Sequence, residues 1–304
     1  MEVITPKNNK NLNVDIKAKS LSPWALARSK FIKNKIAMIS LLFLILVTIL
    51  SFLAPYITTI DITKVNIGQM SLKPSADHWL GTDKSGRDVF TRLLYGGRIS
   101  LLVGISCTVT VVFLGTLVGS IAGYYGGKID SMLMRFTDFI MVFPFLVFVI
   151  VLNAILQGIV SGLSVLIIVI SLLSWGGVAR IVRSKILSEK ENEYILAAIS
   201  IGGKPSKVII KHLLPNVMST IIVQASILFA SMIVVESGLS YLGFGVPQEV
   251  PSWGNMLSSA NEPDVLQNKP WIWLPPAIMI TLTILSINFI GEGLKDAFNP
   301  KSKR

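Results

Sequence analysis

The chain is poor in charge. Asp, Glu, Lys and Arg make up 15% of its 304 residues, where soluble domains average about 25%. Long stretches carry no charge at all: Ile36–Pro55, Ile99–Tyr125, Phe139–Ala179, Val217–Val235 and Trp271–Gly291. Runs of this length exclude an ordinary soluble domain. Cysteine is nearly absent. Cys107 stands alone inside an apolar run, so an intrachain disulfide and dithiol redox chemistry are excluded. The two histidines, His78 and His212, have no Cys/His cluster around them, which argues against a zinc or catalytic metal site. There is no G-x-x-x-x-G-K-[ST]. Gly203-Lys204 is followed by Pro205 and lacks the glycine spacing, so nothing here cradles ATP phosphates. No G-x-S-x-G is present either.

Charge is also missing from the middle of the apolar runs, where ion-coupled carriers keep it. Asp138, Glu236 and Glu292 fall at run ends, where they read as anchors or helix-end partners. Asp138 lies three residues from Arg135, the spacing of a local helical pair. A chain without a phosphate loop or mid-span charge must take its driving force, if it transports, from a partner.

What is present is hydrocarbon. A spanning helix needs roughly 20 mostly apolar residues, and only helices satisfy their backbone within one segment. Phe139–Ala179 is too long for one span. Its centre, Asn153 to Gly162, is polar and glycine-bearing, so it reads as two helices and a turn. The expected fold is an all-α integral membrane protein with six transmembrane helices. Basic residues gather in the N-terminal arm, in the loop from Arg180 to Pro215 and in the tail, which places both termini on the cytoplasmic side. That sidedness accounts for the net charge of +11 better than nucleic-acid binding does. The arm 1–35 is polar over Met1–Ser20 and reads as disordered. A first span follows at 36–56, then an extracytoplasmic loop at 57–98. A five-helix core occupies 99–294 and contains a cytoplasmic loop at 181–216, and 295–304 is a cytoplasmic tail. The outer loop holds six basic residues gathered toward its end, where a helix on the membrane surface is expected.

The cytoplasmic loop reads E-Y-I-L-A-A-I-S-I-G-G-K-P from Glu193. Glu193 favours a helix start through the dipole. Ile195, Leu196 and Ile199 give an apolar stripe, and Ala197-Ala198 keep part of the surface thin. Gly202 ends the helix in a left-handed conformation, and Pro205 begins a second helix. Pro215 precedes the fifth span and sets its angle. The pattern predicts a jointed pair of short helices.

This stretch resembles the EAA motif of ABC importer membrane subunits, E-A-A-x3-G-x9-I-x-L-P. Ala197, Ala198, Gly202, Leu214 and Pro215 match. Leu196 stands where the family has glutamate, with Glu193 one turn upstream, and His212 stands where it has isoleucine. Gly81-Thr-Asp-Lys-Ser-Gly-Arg-Asp88 is similar to the G-T-D-x-x-G-R-D signature of the dipeptide, oligopeptide and nickel branch. Ser240–Pro247 with Ser252-Trp253-Gly254 resembles that branch as well. Trp24 with Lys33-Asn34-Lys35 resembles the N-terminal segment that one of its two paired subunits carries. The resemblance implies a type I importer permease in a bacterial cytoplasmic membrane. It would pair with a homologous permease subunit, two ATP-binding subunits that hold ATP and Mg, and an extracytoplasmic binding protein. It would carry dipeptides or oligopeptides and would not itself be an enzyme. A nickel or metal-chelate importer is the alternative, and an ion-coupled carrier a more distant one. The coupling residues so implied are Glu193, Tyr194, Ala197, Ala198, Gly202, His212 and Pro215. Asn153 and Gln224 are candidate path-lining residues, with helix–helix hydrogen bonding as the other reading. Other motif residues have structural readings: Asp83 bonding nearby backbone, Asp130 capping the third helix, and Trp253, Trp271 and Trp273 in an interfacial belt.

Overall fold

A computed structural model describes residues 23–156 and 162–299. The described residues are almost entirely helical, with a single isolated bridge, Thr82 to Asp88, outside the helices. A short helix, α1 (Pro23–Lys33), leads into α2 (Lys35–Phe52), capped by Asn34 Oδ1 accepting from the Ala37 amide. One turn, α3 (Ala54–Ile57), follows. The loop then leads to α4 (Val89–Tyr125), α5 (Gly127–Val142), α6 (Phe145–Leu156) and α7 (Gly162–Lys190). Next come α8 (Glu193–Ser200), α9 (Pro205–Val208) and α10 (Leu214–Tyr241). Two short helices, α11 (Trp253–Leu257) and α12 (Pro263–Asn268), precede the last, α13 (Pro270–Phe298).

Five helices are long and apolar enough to cross a membrane, and the bent pair α5–α6 makes a sixth if counted as one span. The pair bends by 81° at Phe143-Pro144, because proline removes a helical donor and constrains the residue before it. The third span therefore does not start at Phe139. Phe139 lies inside α5, which begins at Gly127 and carries Asp130, Arg135 and Asp138. The expected turn between the third and fourth spans falls at 157–161, outside the described residues. The N-terminal arm lies outside them as well.

The second span is also longer than its apolar run. α4 has 37 residues, about 55 Å at helical rise. Arg92 and Arg98 ride its first turns instead of a separate surface helix. Arg92 is buried, donating to the carbonyls of Ile62 at 3.0 Å and Gln248 at 3.3 Å.

Close packing explains many of the glycines. On α4, Gly115, Gly119 and Gly123 recur at every fourth position against α7. A Cβ at Gly119 would sit 2.4 Å from the Ala179 carbonyl. One buried cluster joins these two helices to α8, α9 and α10 through Ile186, Ile195, Val208 and Leu213. Another joins α4, α10, α11 and α13 around Trp253. The described chain ends meet: Trp24 packs edge-on to Phe298 at 5.2 Å, and Lys30 Nζ donates to the Asn299 carbonyl at 3.1 Å.

Two acidic groups behave differently from their sequence reading. Asp130 does not cap α5. It takes a bidentate hydrogen bond from Arg183 of α7. Asp138 pairs with Arg180 of α7 instead of Arg135. In both cases α7 offers an arginine across the groove, and at Asp130 its guanidinium fork takes both carboxylate oxygens.

A jointed elbow as the candidate functional site

The elbow begins where α7 ends. Lys190 Nζ donates to the Tyr124 carbonyl and lies 5.4 Å over the Tyr124 ring, so the last turn of α7 is tied to the end of α4. After a two-residue turn, α8 starts at Glu193. Its inner face carries Ile195, fully buried among Ile186, Val208 and Leu213. Its outer face carries Glu193, Leu196, Ala197 and Ser200, all exposed. The small residues are thus split. Ala197 thins the outer face, while Ala198 lies half-buried and receives the Gly203 amide on its carbonyl.

Helix α8 ends in a Schellman motif. The Gly202 amide donates to the Ile199 carbonyl at 2.9 Å and the Gly203 amide to the Ala198 carbonyl at 3.1 Å. Gly202 has φ of +82°, in the left-handed region that only glycine enters without strain. Gly203 is fixed for a different reason, since a Cβ there would lie 2.5 Å from the Ala198 carbonyl. The turn leaves Ile201 86% exposed, and Leu196 on α8 is 49% exposed. Apolar side chains so presented beyond the spans suit a partner better than water.

Pro205 occupies the first turn of α9, as its missing donor favours. The expected second short helix does not stand alone, however. Residues 205–241 form one continuous helical rod. Pro215 lies within it, two residues into α10, and the turn before it widens into a π-helix over Ile209–Leu213. The Leu214 amide donates to the Ile209 carbonyl. Widening gives the Pro215 ring room and absorbs its missing N–H. Asn216 Nδ2 compensates by donating to the His212 carbonyl at 2.6 Å. The elbow is therefore one short helix docked on the end of a span.

A hydrogen-bond chain fixes the joint. Asn216 Nδ2 donates to the Tyr194 hydroxyl at 3.0 Å, and that hydroxyl donates to Glu189 Oε2 at 3.1 Å. Asn192 Nδ2 donates to the same carboxylate oxygen at 2.8 Å. Partial burial, then the Glu189 carboxylate, push the Tyr194 phenol above its ordinary range, so it stays a donor at neutral pH. Glu189, Asn192 and Asn216 had no signal beyond polarity at three- and four-residue spacing; their role depends on how α7, α8 and α10 converge. Among the other sequence candidates, Gln224 lies half-buried on α10, away from the elbow. Asn153 is in α6, and its side chain lies outside the described residues.

At the far end of the bundle a second constellation was misread in the sequence. Glu236 does not sit at an inexpensive helix end. It is fully buried within α10 and accepts from the hydroxyls of Ser100 at 2.9 Å and Ser240 at 2.8 Å. Ser100 Oγ in turn accepts from the Trp253 amide, and Ser240 Oγ from the Val246 amide. Trp253 is fully buried, not interfacial, and its indole N–H donates to the Leu93 carbonyl at 3.0 Å. Gly97 makes room for its ring. Asp83 follows its expected role, taking the Ser85 and Arg87 amides on Oδ1 and Arg87 Nε on Oδ2.

Helices of spanning length, braced by buried polar clusters and carrying an apolar-tipped joint, define a multi-pass membrane protein. The comparisons give this class its family. Residues 115–304 match the binding-protein-dependent transport system inner membrane component, and residues 22–74 match the N-terminal TM domain of oligopeptide transport permease C. The chain is 40% identical to the dipeptide transport system permease protein DppC of Bacillus subtilis (strain 168), over 97% of its own length and 91% of that protein. It is 38% identical to the oligopeptide transport system permease protein OppC of the same strain, over 95% and 93%. Against OppC of Haemophilus influenzae the figures are 39%, 93% and 90%. The chain belongs to the binding-protein-dependent transport family and is a multi-pass inner-membrane permease.

Proposed function

We propose that this permease forms, with a homologous subunit, the transmembrane path of an importer for dipeptides or oligopeptides, and that α8 is where ATPase subunits act on it. The peptide assignment rests on the relatives, which are named as dipeptide and oligopeptide permeases. The coupling assignment rests on the elbow. Its outer face offers Leu196, Ala197 and Ile201 to a partner, while the Tyr194 chain and Ile195 bind its inner face to α7 and α10. A push on α8 therefore passes into two spans as a rigid displacement. The Lys and Arg distribution supports placing this end in the cytoplasm, where the ATP-binding partners would stand. A binding protein would deliver peptide at the opposite end, over the loop that Glu236 and Trp253 hold. Because the sites would be coupled reciprocally, a loaded binding protein would promote ATP hydrolysis.

Co-purification tests the docking assignment. Wild-type chain co-expressed with its ATPase subunits should retain them through affinity capture. Leu196→Asp with Ile201→Asp should release them while the chain still inserts. Undiminished retention by that double variant would contradict the assignment.

A further inference from the structure

At the elbow end of the bundle, α1, the start of α2 and the end of α13 enclose a cavity of about 390 Å³. Lys30, Lys33 and Lys35 line it against a single carboxylate, Asp296. Neither Lys33 nor Lys35 has an acidic partner among the described residues. The walls are held close. A Cβ at Gly293 would lie 2.6 Å from the Ala37 Cβ, and Lys30 reaches across to the Asn299 carbonyl.

Two features tell what kind of anion fits. First, the cavity borders exposed apolar surface of the first span. Ile36 lines it, and from Ile36 an exposed apolar stripe descends the first span through Ile39, Leu42, Leu46 and Ile49, at three- and four-residue steps. Second, α1 lies outside the spanning helices yet exposes Trp24, Leu26 and Ile32 alongside Arg28, Lys30 and Lys33, a mixture suited to the headgroup layer. A basic hollow at the membrane surface, continued by an apolar track, matches a ligand with a phosphate at one end and an acyl chain at the other.

We propose that this cavity binds the headgroup of an acidic glycerophospholipid. Its phosphate sits between Lys33 and Lys35, and an acyl chain lies along Ile36, Ile39 and Leu42. The site joins α1 to the first and last spans through lipid. It requires only that the chain lies in a membrane and is independent of what it transports.

Native mass spectrometry of the purified full chain tests the site, with phosphatidylglycerol and phosphatidylcholine as paired probes. Wild type should retain phosphatidylglycerol preferentially. Lys33→Gln with Lys35→Gln should reduce that preference by about tenfold or more, since a lysine near a membrane surface contributes about fivefold. Lys33→Arg with Lys35→Arg should restore it, because arginine keeps the charge and binds phosphate. Lys64→Gln with Lys73→Gln removes the same charge from the opposite end and should change nothing. An unchanged preference in the Lys33/Lys35 variant, or an equal loss in the Lys64/Lys73 variant, would overturn the site. Displacement of the bound lipid by inorganic phosphate alone would overturn the lipid assignment and leave an adventitious anion hollow.

Discussion

Glu236 shows how much one side chain can organise in this protein. A carboxylate in a span is costly unless its acceptor sites are filled. Serine hydroxyls fill them, and the same hydroxyls receive the amides of Trp253 and Val246. The loop after α10 is thereby fastened to α4. Glu236→Ala leaves those hydroxyls without their acceptor, and should destabilise the bundle by about 1–3 kcal/mol. Glu236→Gln keeps one acceptor and should fall between the two. Thermal unfolding in detergent checks the order wild type, Gln variant, Ala variant; identical midpoints would show that the cage is not stabilising. Gly97 makes a steric counterpart. Its Cβ would lie 2.3 Å from Ser51 Oγ and 2.8 Å from the Trp253 ring. Gly97→Val should therefore displace Trp253 and lower the midpoint, with intrinsic tryptophan fluorescence shifting to the red. An unshifted spectrum would argue that Trp253 is not packed against that glycine.

The elbow is legible in sequence as chemistry and only partly as architecture. Gly202, Pro205 and the apolar pattern of α8 announced a short helix, a left-handed stop and a restart, and each occurs in the structure. The sequence did not reveal that Pro215 would lie inside a continuous rod, because local rules make proline a terminator unless a widened turn absorbs it. Ion pairs failed for a similar reason. Asp138 had Arg135 at helical spacing, but α7 brought Arg180 nearer, and tertiary proximity is invisible in one dimension. The joint itself makes a test. Tyr194→Phe and Asn216→Ala remove members of one hydrogen-bond chain, so their effects on coupling should be strongly non-additive. Additive losses in binding-protein-stimulated ATPase activity would show that the two side chains act separately.

At the scale of the whole molecule, the five apolar runs were readable because hydrocarbon imposes both length and composition. Their extents were not. α4 and α5 continue well beyond the uncharged stretches, since charged turns outside lipid, or paired with arginine, cost a helix little. The lysine and arginine distribution predicts the orientation, with both termini on the cytoplasmic side. In right-side-out vesicles, on a Cys107→Ser background, Trp79→Cys should react with a membrane-impermeant maleimide while Ile201→Cys should react only after permeabilisation. The reverse pattern would invert the topology.

In the proposed mechanism, force enters through α8. Gly202→Pro addresses it directly. Proline cannot adopt the φ of +82° at this position, and it removes the amide that donates to Ile199. The turn lies between the spanning helices and outside both, so insertion should not depend on it. In proteoliposomes holding the complete importer, Gly202→Pro should still insert and its ATPase subunits should still hydrolyse ATP, while peptide uptake falls to background. Peptide uptake at the wild-type rate would contradict that mechanism.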